Sequence, residues 1–333
     1  MGDSSVEKDT KSKGTAFTFG DPESVLGSQI TDYLGVFASD EGKYYIPPVS
    51  LVGLAKVSRA NSHHSACLYF KRNLLLTLFK PSAAVDIETL KRAGLDSVIF
   101  GMCYFKKIFN RAGVVVRYQH LPAINMRKMT NYPNRFLMLT KGDDVEFKND
   151  EVVHLFEYDV EQEIYGLPEY LGGLQSLLLN EDATLFRRRY YKNGAHMGYV
   201  FYTNDPDMDY DTEKAMKEQI KNSKGVGNFR SLFVNIPNGD EKAVQIIPVG
   251  DISQKDEFDR IKNITRNDVI SVHRMRPELA GIMPENTGGT GDIEKINKVH
   301  IANEIVPLTM GFEALNRGLP KRLHIGFDIP KDD

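Results

Sequence analysis

The sequence has no tryptophan and only two cysteines. Cys67 and Cys103 cannot build a disulfide framework, which points to a reducing compartment. Long apolar runs are also missing. A membrane-spanning helix needs roughly 18 or more such residues, and the richest stretch, Leu74 to Phe79, is far shorter. Residues 1–15 are polar, so neither a secretory signal nor a membrane partner is expected. Nor is there an excess of positive charge: 42 basic and 45 acidic side chains give a formal net charge of −3. A protein that grips DNA by neutralising phosphates is normally basic. Any contact with nucleic acid should therefore be loose. What remains is an ordinary globular balance, 41% hydrophobic and 26% charged, which excludes a wholly disordered chain or a collagen-like fibre. A length of 333 residues suggests two or so folding units.

Residues 1–16, rich in Ser, Lys, Asp and Gly, read as a flexible arm. After Pro47-Pro48 the pattern is helical over 49–60 and 62–78, and again from Ile87 to a stop at Gly94. From Val98 to Phe156, runs of β-branched and aromatic residues alternate with turn clusters such as Asn110-Arg111-Ala112-Gly113, predicting hairpins. A long helix is expected from Pro168 to about Tyr191, ending in Arg187-Arg188-Arg189 and Asn193-Gly194. At 1.5 Å per residue it would span roughly 35–40 Å. A small α+β insert follows, with a strand at 200–202, a helix over 213–222 and a hairpin of 229–236 with 243–249 around Asn238-Gly239. A second long helix starts at Ser253 and ends at Pro277. Past a loop carrying Gly281, Gly288, Gly289 and Gly291, a third runs from Asp292 to Gly318, with Pro307 expected to kink it. A last strand is expected within 323–329.

Motifs for chemistry are sparse. Gly225-Val226-Gly227-Asn228-Phe229-Arg230 half-matches a dinucleotide fingerprint but follows a helix and lacks the third glycine. No phosphate-binding P-loop occurs. His63 and His64 are adjacent and cannot share a metal as an i, i+4 pair would; His273 and His300 read as ordinary surface or interface histidines. Gly142-Asp143-Asp144 reads as a turn. No enzyme activity, metal or cofactor is expected. The most unusual segment is 284–292, Pro-Glu-Asn-Thr-Gly-Gly-Thr-Gly-Asp, which is either a surface connector or a mobile loop that touches a ligand.

Several blocks, in order, carry a resemblance. They include Tyr44-Tyr45-Ile46-Pro47-Pro48-Val49, the run Gln162 to Leu171, the run Leu179 to Gly194, and Lys224 to Arg230. Lys255-Asp256-Glu257-Phe258, Asn286-Thr287-Gly288-Gly289 and Asn303-Glu304-Ile305-Val306-Pro307-Leu308 complete them. Over about Phe17 to Ile329 the sequence resembles the portal proteins of tailed bacteriophages, the P2-like (PBSX) portal family.

The resemblance implies an α+β portal fold with a wing, paired long stem helices, a small α+β clip, a tunnel loop and a kinked helix. Residues 1–16 would be the arm, 17–165 the wing, 166–195 and 251–276 the stem helices, and 196–250 the clip. The tunnel loop would be 277–291 and the channel helix 292–319, with 320–333 a closing strand and tail. It implies a ring of twelve subunits at one capsid vertex of the virion, assembled in the host cytoplasm, through which double-stranded DNA is packaged and later ejected. Implied partners are other copies of the chain, DNA, the terminase large subunit, the major capsid and scaffolding proteins, and a head-completion or connector protein. Asn286, Thr287, Gly288, Gly289, Thr290 and Gly291 would face DNA. Arg276 would add a charge at the constriction, where relatives have Val-Pro-Pro and this chain has Met275-Arg276-Pro277. Glu181 and Asp182 would pair with Arg187, Arg188 and Arg189 between subunits. Lys224, Asn228, Arg230 and Asn238 would meet terminase or an adaptor. The alternatives are a monomeric phage DNA-processing enzyme, such as a nuclease, and an adaptor ring that never touches DNA.

Overall fold

The computed structural model describes residues 15–17, 36–132, 134–192, 199–203, 211, 214, 232–235, 244–248, 254–281 and 292–330. The chain divides into two units. One comprises Leu26–Glu181 with Asn263–Asp333, the other Met1–Val25 with Asp182–Lys262.

In chain order the strands are β1 (Thr15–Phe17), β2 (Phe37–Ala38), β3 (Tyr45–Ile46), β4 (Phe79–Lys80), β5 (Met102–Phe109), β6 (Val115–Leu121) and β7 (Met126–Lys128). They continue with β8 (Phe136–Met138), β9 (Val145–Glu146), β10 (Val152–Phe156), β11 (Tyr199–Thr203), β12 (Leu232–Asn235), β13 (Val244–Pro248) and β14 (Gly326–Phe327). The helices are α1 (Leu51–Ala60), α2 (Ser62–Leu78), α3 (Ile87–Phe100), α4 (Leu174–Lys192), α5 (Gln254–Val272), α6 (Ile293–His300) and α7 (Val306–Glu313).

The larger unit is built on α1, α2 and α3. Ser50 caps α1 through the N–H of Gly53, and Asn61 caps α2 through the N–H groups of His63 and His64. Asp86 caps α3. The antiparallel sheet β10-β5-β6 packs beside them. Its β5–β6 hairpin closes where the Asn110 carboxamide accepts from the N–H groups of Ala112 and Val114, with Gly113 at positive φ. A second small sheet, β7-β8-β9, follows. One core gathers Leu54, Leu68, Phe100, Tyr104, Tyr165 and Val269; another joins Leu75, Leu90, Phe105 and Tyr118 to Phe312 and Leu315. Each such side chain contributes about 1.5–3 kcal/mol by leaving water. The first core therefore holds α5, and the second the C-terminal segment, against the same helices.

Gly94 does not end α3, as the sequence suggested; the helix continues to Phe100 and stops at Gly101, whose φ of 69° is left-handed. Gly94 serves packing instead. A Cβ there would lie 2.8 Å from Leu75 Cδ2. Residues 98–100, expected to open a strand, are thus helical. Gly101 is held tightly as well: its carbonyl accepts from the Glu157 N–H at 2.8 Å, and a Cβ would come within 2.2 Å of the Leu167 carbonyl.

The helix expected from Pro168 begins with a 3₁₀ turn, Glu169–Gly173, and becomes α-helical only at Leu174. Its 19 α-helical residues span about 28 Å, less than expected. Gly173 sits so close to α5 that a Cβ would fall 2.4 Å from Val272 Cγ2. The third helix is interrupted where Pro307 predicts. Proline lacks an N–H and its ring clashes with the carbonyl four residues back. The chain answers with a π turn over Ile301–Ile305, in which the Val306 N–H reaches the Ile301 carbonyl. Of the last expected strand only β14 forms, paired with β4.

In the other unit, β11 is central. It pairs parallel with β12 and antiparallel with β13, so the expected hairpin of 229–236 with 243–249 does not form. A parallel pair cannot be joined by a tight turn. β1 adds an edge strand, Thr15 opposite Asn235 and Phe17 opposite Phe233. The arm expectation is corrected at its end, since Thr15 and Ala16 pair in a sheet. Sequence gave no sign of this, because three residues carry no readable period. Asp211 and Lys214 are helical, within the span expected for the insert's helix or beside it.

Candidate functional site

Lys71 lies three residues after Leu68 and four before Leu75, both fully buried, so helical geometry puts it on the inner face of α2. Its ammonium meets Glu304 Oε2 at 3.1 Å and Glu169 Oε2 at 3.4 Å. Arg274 spans the same two acids, Nε to Glu304 Oε1 at 2.7 Å and Nη2 to Glu169 Oε2 at 2.6 Å. Two cations and two carboxylates thus alternate. They come from α2, the 3₁₀ turn before α4, the end of α5 and the π turn before α7. The Lys71 and Glu304 side chains are 9% and 7% exposed, so each depends on the others for its charge. Glu169 and Arg274 are about half exposed. Burial would raise the Glu169 carboxyl, but Arg274 and Lys71 outweigh it and hold it below the ordinary value. The bond to Glu304 raises Arg274 further still. Glu157, beside them, is shifted upward by burial and then by Glu169. These groups line a cavity of about 150 Å³.

Arg274 reaches this place from an unusual backbone. Its φ is 51°. The Met275 N–H bonds to the Ile270 carbonyl and the Arg274 N–H to the Ser271 carbonyl, a Schellman stop in which glycine normally takes the left-handed position. Pro277 follows and forbids continuation.

Against the cluster lies a buried histidine pair. His64 Nδ1 and His273 Nε2 are 2.8 Å apart, although 209 residues separate them in sequence. The Tyr170 ring meets His64 edge-on at 4.5 Å. Burial holds the His64 ring at about 3; burial, with His64 and Lys71 near, holds His273 at about 2. Both are neutral near pH 7, so one ring nitrogen of the close pair donates and the other accepts. The expectation of isolated surface or interface histidines is therefore corrected. His300 is buried too, its ring 5.7 Å from that of Phe70. Among the described residues, no group of three or more His, Cys, Asp or Glu could hold a metal ion.

A second buried polar chain sets the register of α4 against α5. Asn61 Nδ2 donates to Asn180 Oδ1 at 3.1 Å, and Asn180 Nδ2 to Thr265 Oγ1 at 2.7 Å. The Asn61 carboxamide oxygen still caps α2.

The expected site residues fall as follows. Asn286, Thr287, Gly288, Gly289, Thr290 and Gly291 lie outside the described residues, as do Lys224, Asn228, Arg230 and Asn238. Glu181, Asp182, Arg187 and Arg188 lie on α4, with Asp182 and Arg188 exposed and Glu181 and Arg187 half-buried. Arg189 lies on the same helix, with its side chain outside the described set. Arg276 is exposed and forms one lip of a groove of about 490 Å³ between the end of α5 and α6. Sequence reasoning missed Lys71, Glu169, Arg274 and Glu304. A lysine within an apolar helical stripe was the available signal for Lys71; Arg274 and Glu304 offered none, because their partners are remote in sequence. Gly142-Asp143-Asp144 is the expected turn, closed by the Thr140 hydroxyl donating to the Asp143 carbonyl.

Comparison with solved structures defines the class. The fold matches a structure described as the neck of a native gene transfer agent particle computed with C12 symmetry, at a TM-score of 0.59 and 14% identity, covering 84% of each chain. It also matches an HK97 family phage portal protein from Corynebacterium diphtheriae, at 0.54 and 11% identity, covering 82% of this chain and 94% of that one. The architecture is thus an α+β phage portal fold. A family model described as phage portal protein matches residues 72–331. A protein of Escherichia phage P2 described as a probable portal protein is 40% identical over 305 residues, covering 91% of this chain and 88% of its own. One from Haemophilus phage HP1 (strain HP1c1), described in the same words, is 38% identical, covering 85% and 84%. The chain belongs to the phage portal protein family.

Proposed function

We propose that this portal protein forms a ring with a central channel at one capsid vertex, through which double-stranded DNA enters during packaging and leaves on ejection. The observation that carries this is the 40% identity to the phage P2 relative over 91% of the chain. A ring of about twelve copies is supported by the C12 symmetry of the neck structure that shares its fold. The role is that of a conduit, and the work of translocation belongs to the terminase, whose large subunit docks on it. Other partners are the major capsid and scaffolding proteins and a head-completion or connector protein. Its place is the virion, after assembly in the host cytoplasm.

Within the ring, residues 17–165 serve as the wing, 166–195 and 251–276 as the stem, and 196–250 as the clip. Residues 277–291 serve as the tunnel loop, 292–319 as the channel helix and 320–333 as the closing segment. Lys224, Asn228, Arg230 and Asn238 meet the terminase or adaptor, and residues 286–291 face DNA. Glu181 and Asp182 pair with Arg187, Arg188 and Arg189 across subunits. A net charge of −3 suits a conduit. Strong phosphate neutralisation would hold DNA in place, whereas an uncharged glycine-rich segment lets a polyanion slide.

Native mass spectrometry with electron microscopy of the purified protein tests this. A closed ring with a central hole supports it. A chain that stays monomeric even when capsid and scaffolding proteins are co-expressed overturns it.

A further inference from the structure

Two exposed features of the larger unit complement each other. The first is the segment 157–163 between β10 and α4. Val160 and Tyr158 are 84% and 70% exposed, the most open large apolar side chains among the described residues. They are held there by a built loop. The Gln162 carboxamide accepts from the N–H groups of Ile164 and Tyr165 and donates to Asp159 Oδ2 and to the Tyr165 carbonyl. A loop so braced presents its apolar tips with little entropy left to lose on docking. Glu161 and Glu163 flank them, exposed and without an ion-pair partner among the described residues.

The second is the groove between the end of α5 and α6. Ile296 and Val299 supply its apolar part, with Val299 59% exposed, and Asn303 and the Arg274–Glu304 pair its polar part. Arg276, without an ion-pair partner among the described residues, and the exposed Lys295, whose ammonium lies 3.4 Å from the exposed Asp292 carboxylate, stand at its edge. Its volume of about 490 Å³ is of the size that takes a small molecule, room for a tyrosine and a valine side chain.

We propose that the 157–163 loop of one protomer seats in this groove of its neighbour, Tyr158 and Val160 against Ile296 and Val299, with Glu161 and Glu163 facing Arg276 and Lys295. Apolar tips meet the Ile296 and Val299 side chains, and acids meet Arg276 and Lys295 at the rim. The chain leaves both its loop and its groove exposed, so the loop does not fill the groove of its own chain. Loop and groove are different patches, so the contact is heterologous, and such contacts close into rings when the rotation permits. The inference rests on the ring reading above and assigns one of its contacts.

Disulfide trapping tests it in the full chain. Cys67 and Cys103 are buried, so introduced thiols are the accessible ones. Rings carrying both Val160→Cys and Val299→Cys, mildly oxidised, should give a ladder of covalent oligomers under non-reducing conditions; each single variant should stay a monomer. Independently, Arg276→Glu should lower the ring fraction at least tenfold. Glu161→Arg with Glu163→Arg should do the same, and the combined variant should recover it. Rings that form without a ladder and ignore the charge changes overturn this contact and leave the portal reading intact. Wild-type protein that never forms rings overturns both.

Discussion

Arg274 donates to Glu304 at 2.7 Å from a left-handed backbone position that glycine would occupy more easily. The side chain and the backbone therefore pull against each other at this residue. A left-handed conformation costs a non-glycine residue about 1–2 kcal/mol. The pairing with a nearly buried carboxylate holds it there. Arg274→Ala should lose the pairing and keep the strain, destabilising by about 2 kcal/mol, below the usual cost of breaking a buried pair because Arg274 is half exposed and Lys71 remains. Arg274→Gly should lose the pairing but release the strain, recovering about 1 kcal/mol. Denaturant melts of the two variants side by side check this; equal midpoints would show that no strain is stored at residue 274.

The Lys71–Glu304 pair offers a cycle. Lys71→Met or Glu304→Leu alone should cost about 2 kcal/mol, since Glu304 keeps Arg274 and Lys71 keeps Glu169 but each nearly buried charge loses one of its two partners. The double replacement should cost less than either single change, as both charges leave together. A double variant weaker than both singles would mean that the ions themselves stabilise the fold.

Stability should fall in acid, and the histidines set where. His64, His154 and His273 sit at about 3, 3 and 2 in the folded chain, each chiefly through burial. Unfolded, they titrate near the ordinary 6.5. Their folded values are depressed, so stability is full above about pH 6.5. It declines below that by about 1.4 kcal/mol per pH unit per histidine, as the unfolded chain takes up protons the fold refuses. Glu169, also depressed, acts in the same direction further down. Replacing His64 and His273 together by Phe should remove their two protons from the slope between pH 6 and 5, leaving those of His154 and His300, the latter also lowered by burial. Melts at fixed protein concentration across that range read this directly; an unchanged slope would sink the assignment.

Three glycines should rank in a fixed order. Gly101→Ala meets backbone at 2.2 Å and a φ of 69°, and should cost more than about 3 kcal/mol. Gly173→Ala meets the stiff Val272 at 2.4 Å and should cost about 2 kcal/mol. Gly94→Ala meets only the end of Leu75, and gains about 1 kcal/mol of helix propensity in return. Its net effect should be about 1 kcal/mol or less. A different order in thermal melts would mean that the close approaches are misread.

What the sequence made legible was local. Asn110 announced its turn and Pro307 its interruption, because each acts on neighbours a few residues away. The family was legible too, through long blocks in a fixed order. Gly94 was misread because a glycine in a helix looks the same whether it stops the chain or admits Leu75. The hairpin expected at 229–249 failed because pairing partners are a tertiary choice, and β11 intervened. Lys71, Arg274 and Glu304, and the pair His64 and His273, were invisible as groups because each lies far along the chain from its partners.

The π turn at 301–305 holds one residue more than a regular helix would use. Each α-helical residue turns the chain by about 100°. Deleting a single residue there would remove the wide turn and swing everything beyond it by that angle, while Pro307 would still donate no hydrogen bond. Phe312 and Leu315, now buried against Phe105 and Tyr118, would face elsewhere. The extra residue is a phase setting, and the C-terminal segment of the larger unit depends on its count as much as on its composition.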